Sequence, residues 1–307
     1  GNVVTVAVPT YTGLVGRNAV VEISNTLDSK VRVPVSQAGG VWYVKGDDAY
    51  GLSDEESTIT IPVKSDYDYT VDLPAWITGE KVKEGYNLTL AENTTGNARK
   101  GTVTFTSERG AKKIVFLQFG INDIAGTYEA TYSVYGDNDQ LVEETKTFKL
   151  VQDAENEELF YAEELSSIGG LVIPLKFNSE TYQLSVFAGQ YLGYIASKGW
   201  YLYTVVTSEA GYVHADAALA YSAIAEFDLD DEVVMPSFPF KDEKGFSFAT
   251  SDGTIKSYLD GLEVYVFKSQ SPSFSGGNAL GYYDMFKNLS IKKVCLLYTS
   301  PSPRDTR

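Results

Sequence analysis

The chain has 307 residues, 13% of them aromatic, with 22 Tyr, 15 Phe, one His and one Cys. Its formal charge is −16, and residues 122–295 hold 26 of the 41 acidic side chains against 11 Lys and no Arg. Such a surface repels phosphates, so nucleic acid is not an expected partner. One His and one Cys are too few for the usual zinc site or a disulfide framework. No apolar stretch of about 18 residues predicts a transmembrane segment, and the wealth of Thr, Val, Tyr and Phe predicts an all-β protein.

Residues 3–8 read as a strand, followed by a Gly-containing loop and a hairpin within 17–39. Arg17, Val21 and Ile23, then Val33, Val35, Gln37 and Gly39, recur as Arg99, Val103 and Phe105, then Ile114, Phe116, Gln118 and Gly120. The offset is 82 residues in the first strand and 81 in the second. An internal repeat sets the domain organisation. Residues 1–39 are therefore expected to be the C-terminal half of a truncated copy, and 40–121 a complete one. The half copy would expose sheet surface, so packing on a neighbour or poor order is expected. An N-terminal signal or anchor is expected upstream of this sequence.

In the complete copy, strands are predicted at 41–44, 59–63, 66–72 and 87–91. An acidic loop is predicted at 46–56 and a charged loop after Ile77. Asp66, Asp68 and Asp72 share a face that reads as solvated rather than cation-binding, and Tyr67, Tyr69 and Val71 share the other. The hairpin over 97–120 alternates Thr102, Thr104 and Thr106 with Val103 and Phe105. About seven short strands predict an immunoglobulin-like β-sandwich with Trp76 in its core. Folding the hairpin about Glu108-Arg109-Gly110 brings Arg99 beside Gln118, and the same parity brings Arg17 beside Gln37. These four are expected to be structural, closing one rim of each sandwich through buried hydrogen bonds.

Asp72-Leu73-Pro74-Ala75-Trp76-Ile77, then Arg99, Gly101 and Val103, then Val115, Leu117, Gln118 and Gly120, resemble the Bacteroidetes-associated carbohydrate-binding often N-terminal (BACON) domain. The resemblance covers about residues 40–120, with 3–39 as a truncated preceding copy. It implies an immunoglobulin-like module of extracellular or outer-membrane surface-anchored proteins, often beside glycan-active domains. A spacer role is the rival implication.

Residues 122–294 read as a different antiparallel β domain, a barrel or large sandwich. Strands are predicted at 127–135, 145–151, 159–162, 171–177, 181–187, 200–207, 223–227, 246–249 and 262–267. Residues 215–225 read as helix or strand, and 279–288 as a short helix. Gly126-Thr127-Tyr128 and Gly189-Gln190-Tyr191-Leu192-Gly193 resemble the calycin-like β-barrel domains of Bacteroidetes surface lipoproteins. Residues 295–307 read as a non-native read-through tail and are set apart from the fold.

No catalytic residue, metal ligand set or cofactor site is predicted. His214 has no G-x-S-x-G partner, the acidic run 228–232 reads as a solvated turn, and phosphate-binding loops are absent. The chemistry with support is aromatic. Sugar recognition stacks the apolar face of a pyranose on a ring, with polar groups nearby. Trp200-Tyr201-Leu202-Tyr203 is the densest cluster, and Tyr191 and Tyr194 precede it. Parity sets Tyr201 and Tyr203 against Trp200 and Leu202, either as core and cross-strand pairs or as a platform. The expected function is a non-catalytic, secreted or surface-anchored carbohydrate-binding protein with a glycan as partner. The alternatives are a spacer or protein-interaction module, and an enzyme, which would need two carboxylates about 5–10 Å apart in a cleft.

Overall fold

The computed structural model describes residues 3–9, 11, 13, 15–24, 29–231 and 233–294. Strands make up 57% of the protein, and the described residues include two short 3-10 turns but no α-helix. No helix among them is long and apolar enough to cross a membrane. Two compact units divide the chain. The first is Gly1–Glu92 with Lys100–Leu117, and the second is Asn93–Arg99 with the chain from Gln118 onward.

The first unit contains β1 (Arg17–Ser24), β2 (Lys30–Gln37), β3 (Trp42–Val44), β4 (Ala49–Leu52), β5 (Ser57–Ile61), β6 (Val63–Ser65), β7 (Tyr69–Asp72), β8 (Ile77–Val82), β9 (Gly85–Leu90), and most of β10 (Arg99–Ser107) and β11 (Gly110–Gln118). One sheet runs β4-β11-β10-β7 and another β5-β9-β8. Between them Ile61, Leu88, Leu90, Val103, Phe105, Ile114 and Phe116 are fully buried. The period-2 sequence produces this arrangement by sending alternate side chains into one core. Trp76 packs on that core. A Cβ at Gly101 would stand 2.8 Å from its ring and 2.6 Å from Pro74 Cγ, so the glycine is what lets them close on the strand. Tyr69 and Val71 pack on the same core, while Tyr67 lies in a bend ahead of β7 with the Arg109 guanidinium 5.0 Å from its ring centre.

Strands β1 and β2 pair in the register Arg17↔Gln37 through Ser24↔Lys30 but remain largely exposed. Val33 is 41% exposed where its repeat counterpart Ile114 is fully buried. Arg17 donates from Nε (3.0 Å) and Nη2 (2.9 Å) to Gln37 Oε1. Arg99 Nε donates to Gln118 Oε1 at 2.9 Å, and Gln118 is fully buried.

The second unit contains β12 (Gly126–Tyr135), β13 (Leu141–Gln152), β14 (Leu159–Glu163), β15 (Val172–Asn178), β16 (Gln183–Phe187), β17 (Tyr191–Ile195), β18 (Trp200–Ser208), β19 (Val213–His214), β20 (Ala220–Ile224), β21 (Ser237–Pro239), β22 (Phe246–Thr250), β23 (Gly253–Ser257), β24 (Leu259–Phe267) and β25 (Ala279–Lys293). Twelve of these strands form one curled, half-barrel sheet, ordered β17-β18-β24-β25-β12-β13-β14-β15-β16-β20, with β19 on β18 and β21 on β25. The Glu226↔Ser237 bridge joins the end of β20 to β21, which pairs with β25, so main-chain pairing runs back to the middle of the sheet.

The inner face is packed solid. Tyr128, Phe148, Phe160, Phe177 and Phe238 are at most 1% exposed. The interior void bounded by Phe148, Leu175, Phe240 and Leu289 measures only about 10 Å³, on the scale of a single water and too small for a ligand. Phe119 joins this core edge-on against Phe177 and Phe227, which ties the entry of the unit to its barrel.

Several expectations are corrected. Residues 279–288 are not a short helix but the first part of β25, and 220–224 are strand. The predicted charged loop after Ile77 is the β8–β9 hairpin, and the acidic loop 46–56 contains β4. Of 66–72 only Tyr69–Asp72 is strand, and residues 3–8 lie outside any strand. The predicted tail 295–307, and Glu232 of the acidic run, fall outside the described residues.

Candidate functional site

The five aromatic residues singled out by sequence come together on the β17–β18 hairpin but divide between its two faces. Tyr191 stands opposite Tyr203, Tyr194 opposite Tyr201 and Ile195 opposite Trp200. Along a regular strand Tyr191 and Tyr194, three apart, would point to opposite faces. Here Leu192 is an extra residue between the Tyr191 and Gly193 pairings, and this bulge returns both tyrosines to one face. The four rings pack in two cross-strand pairs, with centroids 5.4 Å apart for Tyr191–Tyr203 and 4.6 Å for Tyr194–Tyr201. Tyr203 is buried and donates to Gln270 O at 2.6 Å, and burial pushes its phenol pKa up.

Trp200 is on the other face. It packs on the barrel core and lines an open groove of about 440 Å³ with Lys198, Val266, Leu280, Tyr282 and Tyr283. The Lys198 ammonium lies 4.3 Å from the centre of the Trp200 ring, a cation–π contact. Tyr282 and Tyr283 are 51% and 41% exposed. β25 bulges twice against β24 here, and Tyr282, opposite Tyr265, whose other partner is Tyr203, falls on the face of the tyrosine row at the rim of this groove. Tyr283 is the extra residue between the Val264↔Asp284 and Tyr265↔Tyr282 pairings, and Leu280 between Val266↔Gly281 and Phe267↔Ala279.

Tyr282 and Tyr283 also line a second, polar hollow of about 200 Å³. Glu144, Lys146, Ser167 and Asp284 line it, together with Tyr132. Asp284 accepts from Ser166 Oγ at 2.5 Å, from the Ser167 amide at 3.1 Å and from the Ser167 hydroxyl. Lys146 Nζ donates to the carbonyls of Leu165 and Ser166, both at 3.0 Å. These bonds fix the 165–167 turn as the wall of the hollow. The Tyr132 hydroxyl is 3.4 Å from Glu144 Oε2, and its pKa is raised first by burial and then by the Glu144 charge. Lys146 thus stands with Glu144 and Asp284 in this lining, and Lys198 in that of the Trp200 groove.

Sequence reasoning found Trp200 but missed Tyr282, Tyr283 and the polar wall. The adjacent Tyr282-Tyr283 pair was the available signal, hidden by reading that stretch as helix. Trp76, Arg99, Gln118, Arg17 and Gln37 stand apart from the groove lining. His214 packs edge-on against two stacked rings, 4.9 Å from Phe246 and 4.7 Å from Phe248, and burial lowers its pKa. Among the described residues no group of three or more His, Cys, Asp or Glu side chains is placed to hold a metal ion. No family model matches the chain, and neither a curated protein nor a solved structure matches it.

Proposed function

We propose that this protein is a non-catalytic glycan-binding protein, secreted or displayed at the surface of a glycan-utilising Bacteroidetes-type bacterium. The observation that carries the reading is the pair of hollows, one lined by Trp200 and the other by Glu144, Lys146 and Asp284, that share Tyr282 and Tyr283. Exposed rings offer stacking faces, and the polar hollow offers hydrogen-bond partners for hydroxyls. The resemblance of residues 40–120 to BACON domains supports the same setting, with the first unit as an accessory sandwich module.

Glycan arrays followed by calorimetry on the whole chain test this. Neutral polysaccharides bind, and Tyr282→Ala weakens binding about tenfold, the scale of one lost aromatic contact. Absence of binding across the array, or unchanged affinity in both Tyr282→Ala and Tyr283→Ala, refutes it. A second reading, a spacer or protein-interaction module, draws on the filled barrel interior, which leaves no room for an enclosed ligand.

A further inference from the structure

The first unit holds a segment with the pattern of a strand and no ladder, and the internal repeat shows what its ladder is made of. Carried back without a gap from Arg17 and Arg99, the offset of 82 sets Val4, Val6 and Val8 on Tyr86, Leu88 and Leu90. Those three belong to β9, the middle strand of β5-β9-β8. Both edges of β9 are taken. β5 pairs with it from Ser57↔Leu90 to Ile61↔Tyr86, and β8 from Ile77↔Leu90 to Val82↔Gly85. Residues 3–8 join no sheet among the described residues. Val4 is 58% exposed, and Val6 and Val8 are each 48% exposed, where Leu88 and Leu90 are fully buried. The alternation of valines without pairing thus has a cause: a middle strand acquires its ladder only from neighbours on both sides.

The segment is nonetheless held to its hairpin. Gln37 Nε2 donates to Pro9 O at 3.0 Å, beside the Arg17–Gln37 pair. Above that rim the segment and the hairpin line a hollow of about 260 Å³, with Val6, Val8, Ala19, Val21 and Val35 in its walls. In the complete copy the corresponding face is closed. Val103, Phe105 and Phe116 are buried there together with Ile61 of β5 and Ile77 of β8. What fits the open face is therefore legible in the chain itself. It offers one extended strand to each edge of 3–8 and turns apolar side chains, as Ile61 and Ile77 are turned, toward Val21 and Val35. Charge does not oppose it, because residues 3–9 carry no ionisable side chain and Arg17 is engaged with Gln37. We infer that the segment 3–8, with β1 and β2, is a strand acceptor. Its occupant is the front half of another module of the 40–121 type, which pairs through the main chain with both edges of 3–8. This stands independently of the glycan-binding reading.

The test extends the full chain. A second copy of residues 40–85 is placed directly ahead of Val4, so that a glycine takes the place of Val3. The turn needs it, because a Cβ at Gly85 would stand 2.1 Å from Ile61 O. Amide hydrogen exchange at 4–8 is then compared with that of the unaltered chain. Exchange is expected to be fast in the unaltered chain and about tenfold or more slower in the extended one. Unchanged exchange in β10 and β11 checks that the rest of the unit is folded. Ile61→Ser/Ile77→Ser in the added copy alone should restore fast exchange, and so should Val6→Asp/Val8→Asp in the acceptor. Val6 and Val8 are exposed in the unaltered chain, so the same pair should leave its melting unchanged there. Fast exchange at 4–8 in the extended chain overturns the acceptor. Slowing that survives both double variants overturns the matching of apolar faces. Slow exchange at 4–8 in the unaltered chain overturns the inference too, and a concentration-dependent mass in sedimentation would then name a second copy of this chain as the occupant.

Discussion

Glu263 is a buried carboxyl whose ionisation the fold opposes. It sits on β24 opposite Val205 of β18 and Met285 of β25, 4% exposed, and its Oε2 has no hydrogen-bond partner among the described residues. Nearby, Lys287 is committed to Asp260 at 2.5 Å, and Thr207 also donates to Asp260, at 2.6 Å. Burial pushes the Glu263 carboxyl up from 4.5 to about 7, with Lys287 pulling it down and Asp260 adding to the rise. The unfolded chain therefore releases this proton near pH 4.5 and the folded chain only near pH 7. In between, the folded state binds more protons, so stability falls as pH rises. The gap corresponds to about 3 kcal/mol, present below pH 4.5 and lost above about pH 7. Glu263→Gln removes the titration while keeping the shape. Urea unfolding of both proteins between pH 4.5 and pH 8.5 is the assay. The difference in unfolding free energy should shift in favour of the variant by about 3 kcal/mol across that range. Parallel profiles would show that the carboxyl is ionised in the folded state at little cost, and would refute the reasoning.

Gly101→Ala should destabilise the first unit by about 1–3 kcal/mol, because the new methyl must displace Pro74 or Trp76. Trp fluorescence during urea unfolding reads it directly. Lys293→Met should cost the second unit about 1–3 kcal/mol, since the ammonium donates to Asp123 O at 2.8 Å and Gly96 O at 3.2 Å, and burial already lowers its pKa. Hydrogen exchange should quicken in 93–99 and 120–125. Unchanged exchange there would mean that the two carbonyls find other partners.

Period-2 alternation made most of the fold legible. It found the hairpin of β10 and β11, and the meander of β12 to β16. It failed where pairing, not pattern, makes the strand. β8 carries Glu80 and Lys81 on exposed positions and is strand because β9 pairs with it from Ile77↔Leu90 to Val82↔Gly85. The reverse holds at residues 3–8, where alternating Val gives a strand pattern without a ladder. The repeat, in turn, showed which residues meet. Arg99 reaches Gln118, and Arg17 reaches Gln37, because both hairpins share register and parity.

The candidate site was half legible for a more specific reason. Parity arguments assume that every residue advances the strand by one pairing, and each aromatic surface here depends on a residue that does not. Leu192 brings Tyr191 and Tyr194 to one face, whereas Tyr283 and Leu280 break the alternation of β25 so thoroughly that it resembled a helix. Trp200 was found because it stands in the densest aromatic run of the chain, Trp200-Tyr201-Leu202-Tyr203. Bulges form where a ladder can spare a hydrogen bond, toward sheet edges and strand ends, and such places are also open to ligands. The same irregularity that turns a ring outward therefore removes the pattern by which a sequence would reveal it. In a β-rich chain, adjacent exposed aromatics beside a glycine, such as Gly281-Tyr282-Tyr283, are better read as a bulged strand than as a short helix.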